Sequence, residues 1–279
     1  MTPDGKHLVY LVAETQSDVW MMEHFDPESE IETPRKLEKW LEGELLVQLQ
    51  KGWSLIRQRQ YVEAEKIFHE GLDLHPDHAG FLNGMRVTVL ESNKHEEAKR
   101  YSEKLLAIEV ALTLKRAVHS SLGSIGILLN DYNYAEKHFR NALTIDSTHT
   151  QAIRGMGYLF AVQENWAEAD KYALQALALD SSFANYNLAG WVLVSGEIDL
   201  DRGIAFAEKA LNSKPENWAH GADVYSYLAI PEHTIGLAYL KKDEYEKAVQ
   251  YLEQAAAFAP QRQAIRDDLQ RARGKLAGK

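Results

Sequence analysis

The chain has 279 residues, with 31 Lys and Arg against 41 Asp and Glu, a net charge of −10 and a hydrophobic fraction of 45%. That apolar content is enough to bury a core without disulfides or metals, and it argues against disorder. Cations dispersed through an acidic chain argue against nucleic acid and anionic membrane as partners, since both require concentrated positive charge. The absence of cysteine removes disulfide scaffolds, Cys-ligated zinc, iron–sulfur clusters and thiol nucleophiles.

Residues 1–32 are β-prone. Pro3-Asp4-Gly5 is a turn signal, and HLVYLVAE and DVWMME follow as two strand-like runs before the acidic linker HFDPESEIE, so a short β-hairpin is expected. Its wording, TPDGKHLVYLV and then SDVWMME, resembles one repeat of TolB-like β-propellers. A lone hairpin is marginal in water. It therefore either docks on the first helices as a cap or belongs to a propeller whose other blades lie upstream of Met1. The N-terminal apolar run is too short and too charged for a signal peptide, and no stretch approaches the roughly 20 apolar residues of a membrane span. A cytoplasmic protein is expected.

Thr33-Pro34 reads as an N-cap followed by Pro at the first helical position, and Leu37, Trp40, Leu41 and Leu45 form the stripe of a lead-in helix. A period then emerges. YVEAEKIF, HEEAKRYS, YNYAEKHF, WAEADKYA, LDRGIAFA and YEKAVQYL align on Ala64, Ala98, Ala135, Ala169, Gly203 and Ala248, at gaps of 34, 37, 34, 34 and 45. Seven residues after each anchor stands Gly71, Leu105, Ala142, Ala176, Ala210 or Ala255, and three before it a residue that plugs a turn: Tyr61, His95, Tyr132, Trp166, Leu200 or Tyr245. Small residues at that spacing share one helix face and let a neighbouring helix approach. An upstream stripe, as in Leu122, Gly123 and Gly126 or Met156, Gly157 and Phe160, makes each unit a helix, a turn and a helix. Such units bury their apolar faces only by stacking.

This pattern is similar to the tetratricopeptide repeat (TPR) family, whose order of a large residue, Leu-Gly, Tyr, Ala, Phe, Ala and Pro is followed in most positions by the unit TQAIRGMGYLFAVQENWAEADKYALQALALDSS. Six repeats lie at 45–78, 79–112, 116–149, 150–183, 182–217 and 229–262. The resemblance implies an all-α fold, a right-handed α-solenoid of about six helix-turn-helix units, preceded by the short β-hairpin. The second unit departs from the pattern at Arg86, Ser102 and Val110, and the fifth uses Gly203 after the longer turn SGEIDLDRG. RQAIRDDLQRARGKLAGK, with Ile265, Leu269 and Leu276, is the expected capping helix. The organisation expected is 1–32 hairpin and linker, 33–262 solenoid with its lead-in helix, and 263–279 cap.

Catalytic signatures are missing. HPDH, with His75 and His78, falls at a repeat junction. Glu197, Asp199, Asp201 and Glu208 alternate like calcium ligands, but the central Gly arrives one position late, at Gly203. Gly155, Gly157, Gly123 and Gly126 follow no strand and read as packing glycines rather than a phosphate loop. No nucleophile elbow, zincin motif or P-loop occurs, so neither enzyme activity nor a cofactor or metal is expected.

The resemblance implies a concave face lined by the first helix of each unit at its second, fifth, ninth, twelfth and thirteenth positions. The candidate partner-binding residues are Trp53, Asn83, Val87, Arg154, Tyr158, Tyr186, His233 and Leu237. Leu49 and Trp53 replace the Lys and Asn with which part of the family clamps acidic chaperone tails. An apolar peptide or amphipathic helix suits this surface better, unless Leu49 and Trp53 are covered by the hairpin. The aromatic insertion WAHGADVYSYL, with Trp218, His220, Tyr225 and Tyr227, either recognises a partner or seals the joint before Pro231. The function expected is a non-enzymatic scaffold binding a protein partner. Self-assembly into a homo-oligomer, or service as the regulatory tail of a larger propeller-bearing protein, are the alternatives.

Overall fold

The small anchors dictate where helices cross. In the computed structural model, which describes the backbone of residues 9–13, 19–23, 33–214 and 230–278 and the side chains of 43–214 and 230–278, Ala64, Ala98, Ala135, Ala169 and Ala248 are wholly buried and Gly203 is buried with them. The helices are α1 (Thr33–Arg57), α2 (Tyr61–Leu74), α3 (Ala79–Glu91), α4 (His95–Ala107), α5 (Leu112–Leu128), α6 (Tyr132–Ile145), α7 (Thr150–Val162), α8 (Trp166–Leu179), α9 (Phe183–Ser195), α10 (Leu200–Asn212), α11 (Pro231–Lys241), α12 (Tyr245–Phe258) and α13 (Gln263–Ala277). Apart from these, β1 (Val9–Ala13) and β2 (Val19–Glu23) pair antiparallel, with Val9 opposite Glu23. The Pro-Asp-Gly turn, the connection between the strands and the acidic linker lie outside the described residues, as does the 218–228 insertion. Neither a docked hairpin nor a propeller repeat is shown.

Contacts divide the chain into Met1–Val110 and Ala111–Lys279. In the first unit α1 packs on α2 and α3, and α3 on α4. Phe68 of α2, wholly buried, is held between two glycines: a Cβ at Gly52 of α1 or Gly84 of α3 would come within 2.4 Å of its ring. Full burial of such a ring contributes about 2–3 kcal/mol. The expected lead-in helix and the first helix of the first repeat are one continuous element, the 25-residue α1.

In the second unit the pairs α5–α6, α7–α8, α9–α10 and α11–α12 each pack internally and on their neighbours, and α13 closes on α12 and α11. Gly126 of α5 lies so near α6 that a Cβ there would stand 2.8 Å from the backbone nitrogen of Ala135, and Gly190 of α9 meets Gly203 and Ala207 of α10 in the same way. The three extra residues of the 37-residue gap go into an early start of α5, which has 17 residues where α7 has 13, less the one residue by which α4 is shorter than α2. Ile265 and Ala272 of α13 are wholly buried while Gln263, Arg266, Gln270 and Arg273 are exposed, so the helix is amphipathic.

Every turn inside a described repeat uses one backbone device. Arg59, Asn93, Asn130, Glu164, Glu197 and Asp243 have φ between 54° and 60°. In each case the next residue's N–H reaches back five residues, as from Gln60 to Leu55 or Asn165 to Phe160. The left-handed residue's own N–H reaches back three, as from Glu164 to Ala161. This is the paired-bond ending that satisfies the last helical carbonyls, built six times without glycine at the left-handed position.

Candidate functional site

Those six left-handed residues mark the register of the first helix in each repeat, because each stands at the same place in its unit. Five agree with the repeats read from sequence. At the fifth, the turn from Ser195 to Leu200 is one residue longer than the others, so Glu197 places that repeat's start at 183 rather than 182. Gly190, not Ala189, then becomes the close-packing residue, and it is Gly190 whose Cβ would strike α10.

One residue rotates a helix by about 100°, and the consequence is visible in the side chains. Tyr186 turns toward α10, where its ring lies 6.0 Å from Phe206 with Lys209 5.4 Å above it. The place beside Tyr158 is taken by Trp191, at 5.7 Å between ring centres, and Trp166 closes on Trp191 edge-on at 6.3 Å. Trp191 is a half-buried aromatic that the sequence analysis did not select. The glycine shared in register by Gly157, Gly190 and Gly236 was the signal that could have found it.

Burial separates the remaining candidates. Trp53 at 6% exposure, Asn83 at 1%, Val87 at 7% and Tyr158 at 1% are parts of the interior. Trp53 packs edge-on against Phe68 at 5.8 Å, and Asn83 accepts two hydrogen bonds from the equally buried Arg86, at 3.0 and 2.8 Å. The Asn83–Arg86 pair fills the position where the repeat pattern favours glycine. Arg154, Tyr186, His233 and Leu237 are half-buried.

One of these four lines the second unit's cleft, and a second braces it from behind. The cleft measures about 870 Å³ and is lined by Ser195 and Glu197 at the end of α9, Leu237, Leu240 and Lys241 of α11, Asp243 of the following turn, Tyr245 at the start of α12, and Asp268, Arg271, Gly274 and Lys275 of α13. Leu237 lines it directly. His233 acts from behind the wall: its ring is 2.7 Å from the Asp268 carboxylate, which also accepts from Arg271. Burial works to raise the Asp268 carboxyl, and the bonds from His233 and Arg271 outweigh it, so the group stays below the usual carboxylate range. Lys241 donates to Glu197, holding that carboxyl low, and the Tyr245 hydroxyl donates to Asp243 at 2.6 Å, which raises the phenol. The cleft thus has an apolar floor of Leu237 and Leu240 between fixed ion pairs.

Three of the four carboxylates that alternate like calcium ligands have other work. Glu197 pairs with Lys241, Asp199 caps α10 by accepting from the Arg202 N–H, and Asp201 pairs with Lys242. Among the described residues no helix is long and apolar enough to cross a membrane.

Residues 233–262 match the family model described as tetratricopeptide repeat. No curated protein matches the chain. Among solved structures, the chain is similar to a tetratricopeptide repeat protein from Parabacteroides merdae at 17% identity, covering 82% of this chain and 84% of that one with a TM-score of 0.63. PilW, a type IV pilus biogenesis factor, is similar at 15% identity over 81% of this chain and 96% of its own, with a TM-score of 0.62. A chain of the APC/C Cut9–Hcn1 hetero-tetramer gives a TM-score of 0.68 at 16% identity over 82% of this chain, which spans 42% of that longer one. At these identities the likeness is one of fold.

Proposed function

We propose that this chain, a tetratricopeptide repeat protein by its fold and its matched sixth repeat, is a non-enzymatic adaptor that holds a protein partner against the first-helix faces of its repeats. The observation that carries the reading is the cleft at α9, α11 and α13, where half-buried Leu237 and Leu240 lie between anchored charges. An apolar floor with a charged rim suits an amphipathic helix or an apolar peptide segment. Leu237, Leu240 and Lys241 are the assigned contacts, with Arg154 and Trp191 as further contacts on α7 and α9. His233 orients the wall. The reading carries with it the cytoplasmic setting expected from the sequence.

The test is selection of binders from a displayed peptide library against the chain, repeated with Leu237→Glu/Leu240→Glu. The leucines also pack against buried neighbours, so the variant is first checked for an unchanged helical signal and cooperative melt, and the selected peptides should then lose at least tenfold in affinity, about 1.4 kcal/mol. Equal binding to parent and variant would move the site off this face.

Self-assembly is favoured by a different observation. In the first unit Val47, Val62 and Leu74 are 64%, 78% and 73% exposed, large apolar side chains that association between copies would cover. Native mass across a concentration series separates this reading from a monomeric adaptor.

A further inference from the structure

A pair of buried histidines in the third repeat takes no part in the cleft. His119 of α5 and His138 of α6 are both buried, and their Nδ1 atoms stand 2.9 Å apart. The two rings are 5.1 Å apart, with the Tyr134 ring 4.3 Å from His138. At that separation one Nδ1 carries the hydrogen and the other accepts it. The contact survives while the pair is neutral or singly charged. When both rings are fully protonated, two Nδ1–H groups face each other and the bond becomes a repulsion. Burial, and after it the cations Lys115 on α5 and Lys137 on α6, disfavour the charged form of His119. Tyr134 of α6 lies against His138, and α7, packed on both helices, carries the titratable Arg154 and Tyr158.

We propose that the His119–His138 contact is an acid-sensitive link between α5 and α6, so that uptake of the second proton loosens the third repeat before the rest of the second unit. The sign follows from the two states. Well above about pH 6.5, the ordinary imidazole value, the unfolded rings are neutral and the folded pair holds its bond. Below it the unfolded chain takes up two protons while the folded pair keeps its bond with at most one, so stability falls as pH falls, by up to tenfold in the folding constant per pH unit for the one proton the pair refuses. The regulated quantity is the order of the α5–α6 repeat. The ligand is the proton itself.

The test compares the full chain with His119→Gln/His138→Gln, whose amides can bond but cannot charge. Urea midpoints at about pH 7.5 and about pH 5 should fall further for the parent than for the double variant, and amide exchange corrected for its intrinsic pH dependence should show α5 and α6 losing protection first. Equal pH dependence in the two proteins, or uniform loss of protection across the second unit, would overturn the proposal. Should the variant fail to fold, NMR titration of the imidazoles in the parent decides. His119 titrating below its ordinary value supports the link, and His119 titrating at or above that value refutes it.

Discussion

Glu164 offers a direct measure of what the recurring turn costs. It ends α7 with φ 59°, is exposed, and makes no side-chain bond among the described residues, so replacing it changes the backbone term and little else. A non-glycine residue in the left-handed region loses about 1–2 kcal/mol to the clash of its Cβ with the backbone. Glycine removes that clash but adds freedom to the unfolded chain, which takes back roughly 0.5–1 kcal/mol. Glu164→Gly should therefore gain about 0.5–1 kcal/mol, a rise in melting temperature of up to about 4 °C for a unit of this size. Glu164→Asn should gain less, Glu164→Ala should be near neutral, and Glu164→Val should lose stability because branching at Cβ sharpens the clash. Urea denaturation of the four variants followed by circular dichroism reads the order directly. A valine variant as stable as the glycine variant would show that the strain argument is wrong.

Other expectations rest on separate contacts. Gly126→Val should force α5 from α6, because the atoms it would meet are Ala135 backbone and cannot swing aside; a loss of about 1–3 kcal/mol in urea unfolding is expected. Asp268→Ala removes the carboxylate that His233 and Arg271 share, leaving a half-buried imidazole N–H without its partner, and should lower α13 protection in hydrogen exchange by about 1–3 kcal/mol. The Asp146 carboxyl is held below its usual range by the Thr148 hydroxyl and backbone N–H, and then by Arg116. Its stabilisation is present above about pH 3.9, the unfolded value, and is lost as pH falls through the folded one. Asp146→Asn should flatten the acid limb of the stability profile below about pH 4 without altering its shape near neutrality.

How far the sequence could be read depended on the kind of signal. Ala64, Ala98, Ala135, Ala169, Gly203 and Ala248 announce helix crossings because only small side chains fit there, and all six are buried as that argument requires. The turns were harder to see. Asn93 and Asn130 suggest a left-handed residue, but Arg59, Glu164, Glu197 and Asp243 carry no such mark, since the bonded turn imposes the conformation on whatever side chain stands there. One added residue before Asp199 shifted α9 by a position, which put Tyr186 against α10 and Trp191 beside Tyr158. Placement on a concave helix face says which side a residue leaves from and not how closely its neighbours cover it. Trp53, Asn83, Val87 and Tyr158 therefore read as surface and are interior. His233 was selected as a contact and instead braces Asp268, a link across 35 residues that no local pattern encodes.

The outer face of α13 has a bearing on how this protein can be lengthened. Its inner residues Ile265 and Ala272 seat against the preceding pair, while Arg266 and Gln270 are exposed. A helix pair spliced in after Phe258 and before Gln263 would find apolar surface on both sides, whereas the same pair grafted behind Ala277 would meet charge and have no face to bury. An engineered chain that carries more binding surface should therefore be built by insertion ahead of α13.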